Sequence, residues 1–284
     1  MRILLTGRNG QVGWELERAL PALGEVIATG RATLDLADFD AIRRLVREAK
    51  PDVIVNAAAY TAVDKAESEP DIAMRINGEA PGVLANEAKR LGALLVHYST
   101  DYVFDGTLER PYREDDAPAP INAYGASKLA GEQAVRKSGC RHFILRTSWV
   151  YGPRGSNFYR TIARAARERP ELRVIDDQFG APTSCGAIAR ATVSVLETSL
   201  RSPSAATGMF HMTAGGETTW HGFASAIVAR EGLNTVVTAI RSAEYPTAAR
   251  RPRNSRLDNA RLHSMFGVAL PEWRDGLAQV SERA

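Results

Sequence analysis

A glycine-rich turn lies near the start of the chain, at residues 7–13. The apolar run before it, residues 2–6, predicts a buried β-strand, and the pattern of residues 14–23 after it predicts an α-helix. In a turn of this kind Gly7 permits the tight bend, Gly10 lets the backbone approach a pyrophosphate, and Gly13 lets the helix pack closely on the strand. The spacing is G-x-x-G-x-x-G rather than the commonest dinucleotide-binding pattern. Its position between a strand and a helix nevertheless predicts nucleotide binding.

Strand-like and helix-like segments alternate along the rest of the chain. Further strands are predicted at residues 25–29, 51–56, 93–98, 142–146, 173–176, 208–213 and 236–240. Helices are predicted at residues 38–49, 71–91, 125–135, 157–169, 188–200 and 220–231. This alternation is typical of an α/β fold with a Rossmann-type doubly wound parallel sheet and a smaller C-terminal substrate-binding lobe. We expect residues 1–150 to form mainly the nucleotide-binding domain and residues 151–284 mainly the lobe, with segments interleaved into the sheet domain.

Composition excludes several other classes of protein. The net charge is only +3 and the basic residues are scattered, apart from residues 250–253, so binding to nucleic acid is not predicted. No apolar run approaches the length of a membrane span, and no signal peptide precedes the first strand, so no membrane partner and a cytoplasmic location are expected. Cys140 and Cys185 offer no disulfide framework or metal-ligand spacing, which indicates buried thiols in a reducing cytoplasm.

The end of the second predicted strand, Thr29-Gly30-Arg31, bears on the choice of nucleotide. Proteins that prefer NADH often have an acidic residue here, which binds the ribose 2′-hydroxyl, whereas an arginine accommodates a 2′-phosphate. Arg31, helped by Arg8, therefore predicts NADPH, with NADH as the alternative cofactor. The competing interpretation is that Arg31 is a solvated turn residue.

The segment Tyr124-Gly-Ala-Ser-Lys128 opens a predicted helix, and its tyrosine and lysine are four residues apart, on one face. A nearby ammonium lowers the pKa of a phenol, which predicts a tyrosine able to give a proton to a forming alkoxide. The fourth predicted strand ends in Ser99-Thr100, so a hydroxyl should reach the same crevice at the carboxyl edge of the sheet.

Two later segments carry candidate substrate contacts. Trp149 follows the fifth predicted strand and is either a wall of a sugar site or a core residue. The loop at residues 245–255 contains three arginines, among them Arg253, and predicts either a diphosphate-binding segment or a basic surface loop.

Several longer segments of the sequence resemble those of the dTDP-4-dehydrorhamnose reductase family of the extended short-chain dehydrogenase/reductase superfamily. These segments lie at residues 10–16, 56–59, 61–70, 97–104, 146–151, 177–183 and 250–255, and the resemblance covers essentially the whole chain. It implies reduction by NADPH of the C4 ketone of a dTDP-sugar, dTDP-4-dehydro-L-rhamnose.

The resemblance also implies roles for individual residues. The implied catalytic residues are Thr100, Tyr124 and Lys128. The implied cofactor contacts, which include Tyr124 and Lys128, are otherwise Gly10, Gln11, Val12, Asp35, Leu36, Ala59, Tyr60, Thr61 and Tyr98. The implied substrate contacts are Thr100, Asp101 and Trp149.

One feature of the family is not preserved. Some members form dimers bridged by Mg²⁺ through three glutamates. Glu15 keeps the first of these positions, Gly186 replaces the second, and Glu282 is shifted from the third. Because a hard cation needs several oxygen ligands, we expect no bound metal and a monomer or weak dimer.

Two alternative functions remain open from the sequence. The first is another nucleotide-sugar epimerase or dehydratase of the superfamily. Dehydratases need an acid where this chain has Tyr102. The second is a regulatory subunit that binds NADP without turning over a sugar, against which the complete catalytic trio argues.

Overall fold

The computed structural model describes residues 1–201 and 207–280. Its strands, in chain order, are β1 (Arg2–Thr6), β2 (Glu25–Thr29), β3 (Val53–Asn56), β4 (Leu94–Thr100), β5 (Arg141–Thr147), β6 (Val150–Tyr151), β7 (Glu171–Ile175), β8 (Phe179–Gly180), β9 (Thr183–Ser184), β10 (Gly208–His211), β11 (Thr218–Thr219) and β12 (Val236–Ile240).

The α-helices are α1 (Gln11–Ala19), α2 (Phe39–Ala49), α3 (Val63–Ala66), α4 (Pro70–Ala73), α5 (Ala80–Leu91), α6 (Ala123–Ser138), α7 (Phe158–Glu168), α8 (Cys185–Arg201), α9 (Trp220–Arg230), α10 (Ala260–Phe266) and α11 (Trp273–Ala278). Short 3₁₀ turns lie at Leu20–Ala22, Asp101–Val103 and Ser242–Glu244, and a π-helical stretch, Met74–Glu79, joins α4 to α5.

A six-stranded parallel sheet forms the larger part of the molecule, with the strand order β10-β5-β4-β3-β1-β2. Successive residues of a strand point to opposite faces of the sheet, so β1 buries Ile3 against one layer of helices and Leu4 against the other. The first layer contains α1, α8 and α10, and the second contains α2, α5 and α6. The predicted doubly wound parallel sheet is confirmed.

The smaller lobe has its own strands and its own core. β7 pairs with β12 in a parallel sheet and β8 pairs with β11 in an antiparallel one. Their core includes Tyr151, Phe223 and Trp273, all almost fully buried. The predicted strand at residues 173–176 is therefore present but belongs to the lobe.

The sixth strand of the main sheet is β10, which comes from the second half of the chain. Together with α8, which packs on α1, it returns the later chain to the sheet domain. The later chain therefore supplies elements to both parts of the molecule, and the division predicted at residue 150 stays a prediction. Cys140 and Cys185 are buried free thiols, as predicted. Among the described residues, no helix is long and apolar enough to cross a bilayer.

Candidate functional site

A cleft of about 740 Å³ runs along the carboxyl edge of the main sheet and is bounded on the far side by the smaller lobe. It brings together sixteen of the predicted site residues, namely Gly7, Gly10, Gln11, Val12, Arg31, Asp35, Leu36, Ala59, Tyr60, Thr61, Tyr98, Thr100, Asp101, Tyr124, Lys128 and Trp149. Two predicted residues, Gly13 and Arg253, do not line it. This volume and position are typical of a cofactor and substrate site in an open α/β sheet.

The glycine turn is shaped by close backbone contacts. Gly7 has φ +78°, and a Cβ on it would lie 2.6 Å from the backbone nitrogen of Ala58. A Cβ on Gly13 would lie 2.0 Å from the Gly7 carbonyl oxygen, so Gly13 serves the packing of α1 on the turn. Gly10 precedes α1 and supplies no side-chain cap, which leaves the first N–H groups of the helix directed into the cleft edge. Such a helix start suits a pyrophosphate.

Arg31 lies at the end of the cleft beyond β2. Its side chain is 82% exposed, and its nearest carboxylate, Asp35, is 3.9 Å away. Arg8, in contrast, pairs at 2.5 Å with Glu17. Arg31 is thus the better placed of the two arginines to receive a phosphate, whereas Arg8 is already engaged.

The helix α6 carries the tyrosine and the lysine. Asn122 caps its start by accepting a hydrogen bond of 2.7 Å from the Gly125 N–H. Lys128 is 3% exposed, and its Nζ donates a hydrogen bond of 2.6 Å to the Tyr98 carbonyl oxygen. Burial lowers the pKa of Lys128 to about 8, although the nearby Glu132 carboxylate opposes the shift.

The sequence prediction that Lys128 lowers the pKa of Tyr124 is wrong for this structure. Burial raises the pKa of Tyr124 and the charge of Asp101 raises it further, while the Thr100 hydroxyl opposes the shift. The reason is that the ammonium of Lys128 is held at the Tyr98 carbonyl, so desolvation outweighs its attraction for a phenolate. Tyr124 is therefore a protonated phenol at neutral pH.

Thr100 and Asp101 lie together where β4 ends. The Thr100 hydroxyl donates a hydrogen bond of 3.1 Å to Asp101 Oδ1 and accepts one of 3.1 Å from the Tyr102 N–H. Asp101 is 3% exposed, and its Oδ2 has no hydrogen-bond partner. Burial raises the pKa of Asp101 to about 7, against the opposing effects of the Ser255 and Thr100 hydroxyls. The cleft thus contains a second group that can hold a proton near neutral pH.

Asn77, a buried residue in the π-helical stretch, was not predicted from the sequence to contribute to the site. Its amide accepts a 2.8 Å hydrogen bond from the Tyr60 N–H and donates bonds to the Tyr60 carbonyl and the Ser127 hydroxyl. Asn77 therefore ties one wall of the cleft to α6. The Asn77-Gly78 pair inside the predicted helix at 71–91 was an available signal, because both residues disfavour a helix interior.

Trp149 lies in the cleft rather than in a core. Its backbone is in the left-handed region, with φ +49°, and its indole stacks on that of Trp220 at 3.5 Å between ring centroids. Trp220 also lines the cleft and was not predicted as a site residue. The one sign of Trp220 in the sequence was that a predicted helix begins at this residue.

The arginine-rich loop contacts the main domain. Arg251 pairs with Asp64 at 2.7 Å, and the Arg250 carbonyl accepts a 2.8 Å hydrogen bond from the Asn122 side chain. Arg253 is exposed, and its predicted contact with a diphosphate stays a prediction.

The residues near Glu15 do not fit the magnesium bridge that the family resemblance implies for some members. Gly186 lies beside Glu15, but the guanidinium of Arg190 lies 3.4 Å from where a Gly186 side chain would begin. Arg190 also donates a hydrogen bond of 3.2 Å to Gln279. Within residues 1–201 and 207–280, no group of three or more metal-ligating side chains is found, and Glu282 lies outside the described residues.

A parallel sheet with a glycine turn after β1, a tyrosine and lysine on α6 and a hydroxyl at the end of β4 is the arrangement of a Rossmann-type oxidoreductase. The family model described as "RmlD substrate binding domain" matches residues 1–284, and the chain belongs to this family.

Individual relatives agree with this assignment. The chain is 52% identical over 285 residues to a dTDP-4-dehydrorhamnose reductase of Burkholderia thailandensis, covering 96% of each chain. A reductase of the same name from Clostridium acetobutylicum superposes with a TM-score of 0.94 at 39% identity, covering 99% of this chain and 98% of that one. Another, from Bacillus anthracis in complex with NADP, has a TM-score of 0.93 at 36% identity, with 98% of each chain covered.

Proposed function

We propose that this protein reduces the C4 ketone of dTDP-4-dehydro-L-rhamnose with NADPH, giving dTDP-L-rhamnose. The observation that carries the proposal is the convergence of Thr100, Tyr124 and Lys128 on one cleft beside a glycine turn, in a chain whose relatives bear the name of this reductase. The two alternatives share the scaffold. A dehydratase would need an extra acid where this chain has Tyr102, and a regulatory subunit would not need a proton donor.

The cofactor proposal starts from the glycine turn and Arg31. The backbone of the turn has room for a pyrophosphate at the start of α1, and Arg31 can bind a 2′-phosphate beyond β2. The relative from Bacillus anthracis binds NADP, which supports the same cofactor here. NADPH, when bound, supplies the hydride.

The protein's own part in the reaction is to hold and move a proton. As the ketone oxygen becomes an alkoxide, Tyr124 donates its phenolic proton to that oxygen. Tyr124 carries this proton at neutral pH, because burial raises the pKa of its phenol. Thr100 hydrogen-bonds the same oxygen, and the ammonium of Lys128 stabilises the phenolate that is left.

The proposed site of action is the cytoplasm, since both cysteines are free thiols and NADPH is available there. We propose a monomer or weak dimer as the working form, because Arg190 stands where the magnesium bridge would need a carboxylate.

The test is oxidation of NADPH by the purified protein in the presence of dTDP-4-dehydro-L-rhamnose. The reaction is monitored through the absorbance of the reduced nicotinamide. The Tyr124→Phe variant should lose about 10²- to 10⁴-fold in kcat while binding NADPH normally. Tyr102→Phe is the matched control, since it removes a hydroxyl from a ring whose centroid is 5.9 Å away. Tight NADPH binding without any oxidation by the wild type would refute the reductase proposal and favour a regulatory subunit.

A further inference from the structure

The side chain of Trp149 is held by contacts from other elements of the fold. A left-handed backbone is unfavourable for a bulky residue and persists only where the surroundings hold it. Trp149 lies between β5 and β6 and lines the cleft that also contains Thr100 and Tyr124. What holds its indole therefore determines one wall of the proposed substrate site.

One contact comes from Trp220, whose ring is nearly parallel to that of Trp149, at 9° and 3.5 Å between centroids. Trp220 is itself oriented by Gln178, which accepts a hydrogen bond of 3.1 Å from the indole N–H. Gln178 in turn donates a bond of 3.0 Å to the Ser242 hydroxyl. The stacked pair is thus anchored in the smaller lobe.

The second contact comes from Gly180. A Cβ on this residue would lie 2.5 Å from Cε2 of the Trp149 indole and less than 3.0 Å from two further ring atoms, so only glycine leaves space for the ring. Gly180 pairs with Thr218 in the small sheet of β8 and β11, and Trp220 follows that sheet directly. One structural unit therefore supplies both contacts.

We propose that Gly180 and Trp220 are positioning residues that hold the Trp149 indole against the pyranose ring of the sugar nucleotide. This inference rests on the proposed function, which it deepens by naming what sets the fit of the sugar. The apolar C–H face of a deoxysugar complements the face or edge of a fixed aromatic ring. A ring held in place before binding loses little conformational entropy when the sugar arrives, so the two contacts act on substrate affinity.

The test compares Gly180→Ala, Trp220→Ala and Trp220→Phe with the wild type. Two stacked indoles give an exciton couplet in the circular dichroism spectrum. The couplet should be present in the wild type, absent in both Trp220 variants and reduced in Gly180→Ala, which retains both tryptophans. Trp14→Phe removes an indole elsewhere, on α1, and should leave the couplet unchanged.

In steady-state assays, Gly180→Ala and Trp220→Ala should lower kcat/KM for the sugar nucleotide by on the order of 10²-fold, through KM rather than kcat. The KM for NADPH should not change. Trp220→Phe keeps an aromatic ring and should recover most of the loss. A reduced couplet in Gly180→Ala with an unchanged KM for the sugar nucleotide would overturn the proposal.

Calorimetry with dTDP-L-rhamnose separates this inference from the proposed function, since binding needs no turnover. Weaker binding by Gly180→Ala and Trp220→Ala supports the inference even if the wild type does not oxidise NADPH. Equal affinity of all the variants and the wild type refutes it. Melting temperatures identify any variant that fails to fold. If Gly180→Ala or Trp220→Ala does not fold, the test depends on Trp220→Phe, which is the mildest change. An intact exciton couplet in Trp220→Phe would refute the stacking of Trp149 on Trp220.

Discussion

Replacing Glu132 with glutamine should lower the free energy of unfolding by about 3–5 kcal/mol, because it leaves the charge of Arg146 buried without a counterion. Glu132 lies on α6 and Arg146 on β5, and the two side chains are 1% and 2% exposed. Two hydrogen bonds join them, from Nε at 2.8 Å and from Nη2 at 2.6 Å. Removing the carboxylate charge while keeping the shape isolates the electrostatic contribution.

The surroundings of Arg146 offer little compensation for the lost charge. Its Nη1 has no hydrogen-bond partner, and the ring of Phe104 lies 4.9 Å from the guanidinium carbon. His211 is neutral, since burial and the charge of Arg146 lower the pKa of its imidazole to about 3, and it supplies no negative charge. A loss of 3–5 kcal/mol corresponds to a fall in melting temperature on the order of 10 °C for a chain of this size.

The assay is urea unfolding followed by circular dichroism. The control is Asp40→Asn, which breaks an exposed pair with Arg43 of nearly the same length, 2.7 Å, and should change the free energy by less than about 1 kcal/mol. The double variant Glu132→Met/Arg146→Met should lie close to the wild type, because a buried pair with an unpaired N–H contributes little net stability. If Glu132→Gln is no more destabilising than Asp40→Asn, the reasoning about an uncompensated buried charge is refuted.

Three further predictions follow from single residues. Because burial raises the pKa of Asp101 to about 7, its protonated form stabilises the fold fully below about pH 4, and this stabilisation is lost as the pH rises to about 7. The Asp101→Asn variant cannot ionise and does not lose it. The free energy of unfolding of the variant relative to the wild type should therefore rise on the order of 4 kcal/mol over this range. A stability difference that does not change with pH would show that folding does not raise the pKa of Asp101. Arg31→Ala should weaken NADPH binding about tenfold without affecting NADH, and an equal loss for both cofactors in fluorescence titrations would exclude the 2′-phosphate contact. EDTA should change neither the melting temperature nor the sedimentation coefficient, because Glu15 belongs to no cluster of metal-ligating side chains within residues 1–201 and 207–280. Stabilisation by added Mg²⁺ would contradict this.

Local patterns were sufficient to predict most of the sheet. The strands at residues 2–6, 25–29 and 236–240 have the predicted bounds, because each is a short run rich in apolar residues. The first two end at a glycine and the third ends at Arg241-Ser242. The glycine turn was equally accessible, since Gly7 and Gly13 make the close backbone contacts that the spacing predicted. The approach of Gly10 to a pyrophosphate stays a prediction. These features depend on neighbours in sequence.

Features that depend on distant residues could not be predicted in the same way. Nothing in residues 208–211 indicates that they join the main sheet beside β5, or that residues 171–175 pair instead with β12. The pKa of Tyr124 was predicted in the wrong direction, because the sequence shows the nearby lysine but not how deeply the phenol is buried or where the ammonium points. Burial is a property of the whole fold.

The arginine-rich loop at residues 245–255 has a role that was not predicted, which is to contact the start of α6. Arg251 is engaged by Asp64, and the backbone of Arg250 holds Asn122, the residue that caps α6. Since Tyr124 and Lys128 lie in the first two turns of that helix, the loop also fixes the start of the helix on which the proton donor stands. Contacts that orient a helix end act on every side chain of its first turn, so the loop connects the smaller lobe to the position of the phenol even without touching a diphosphate.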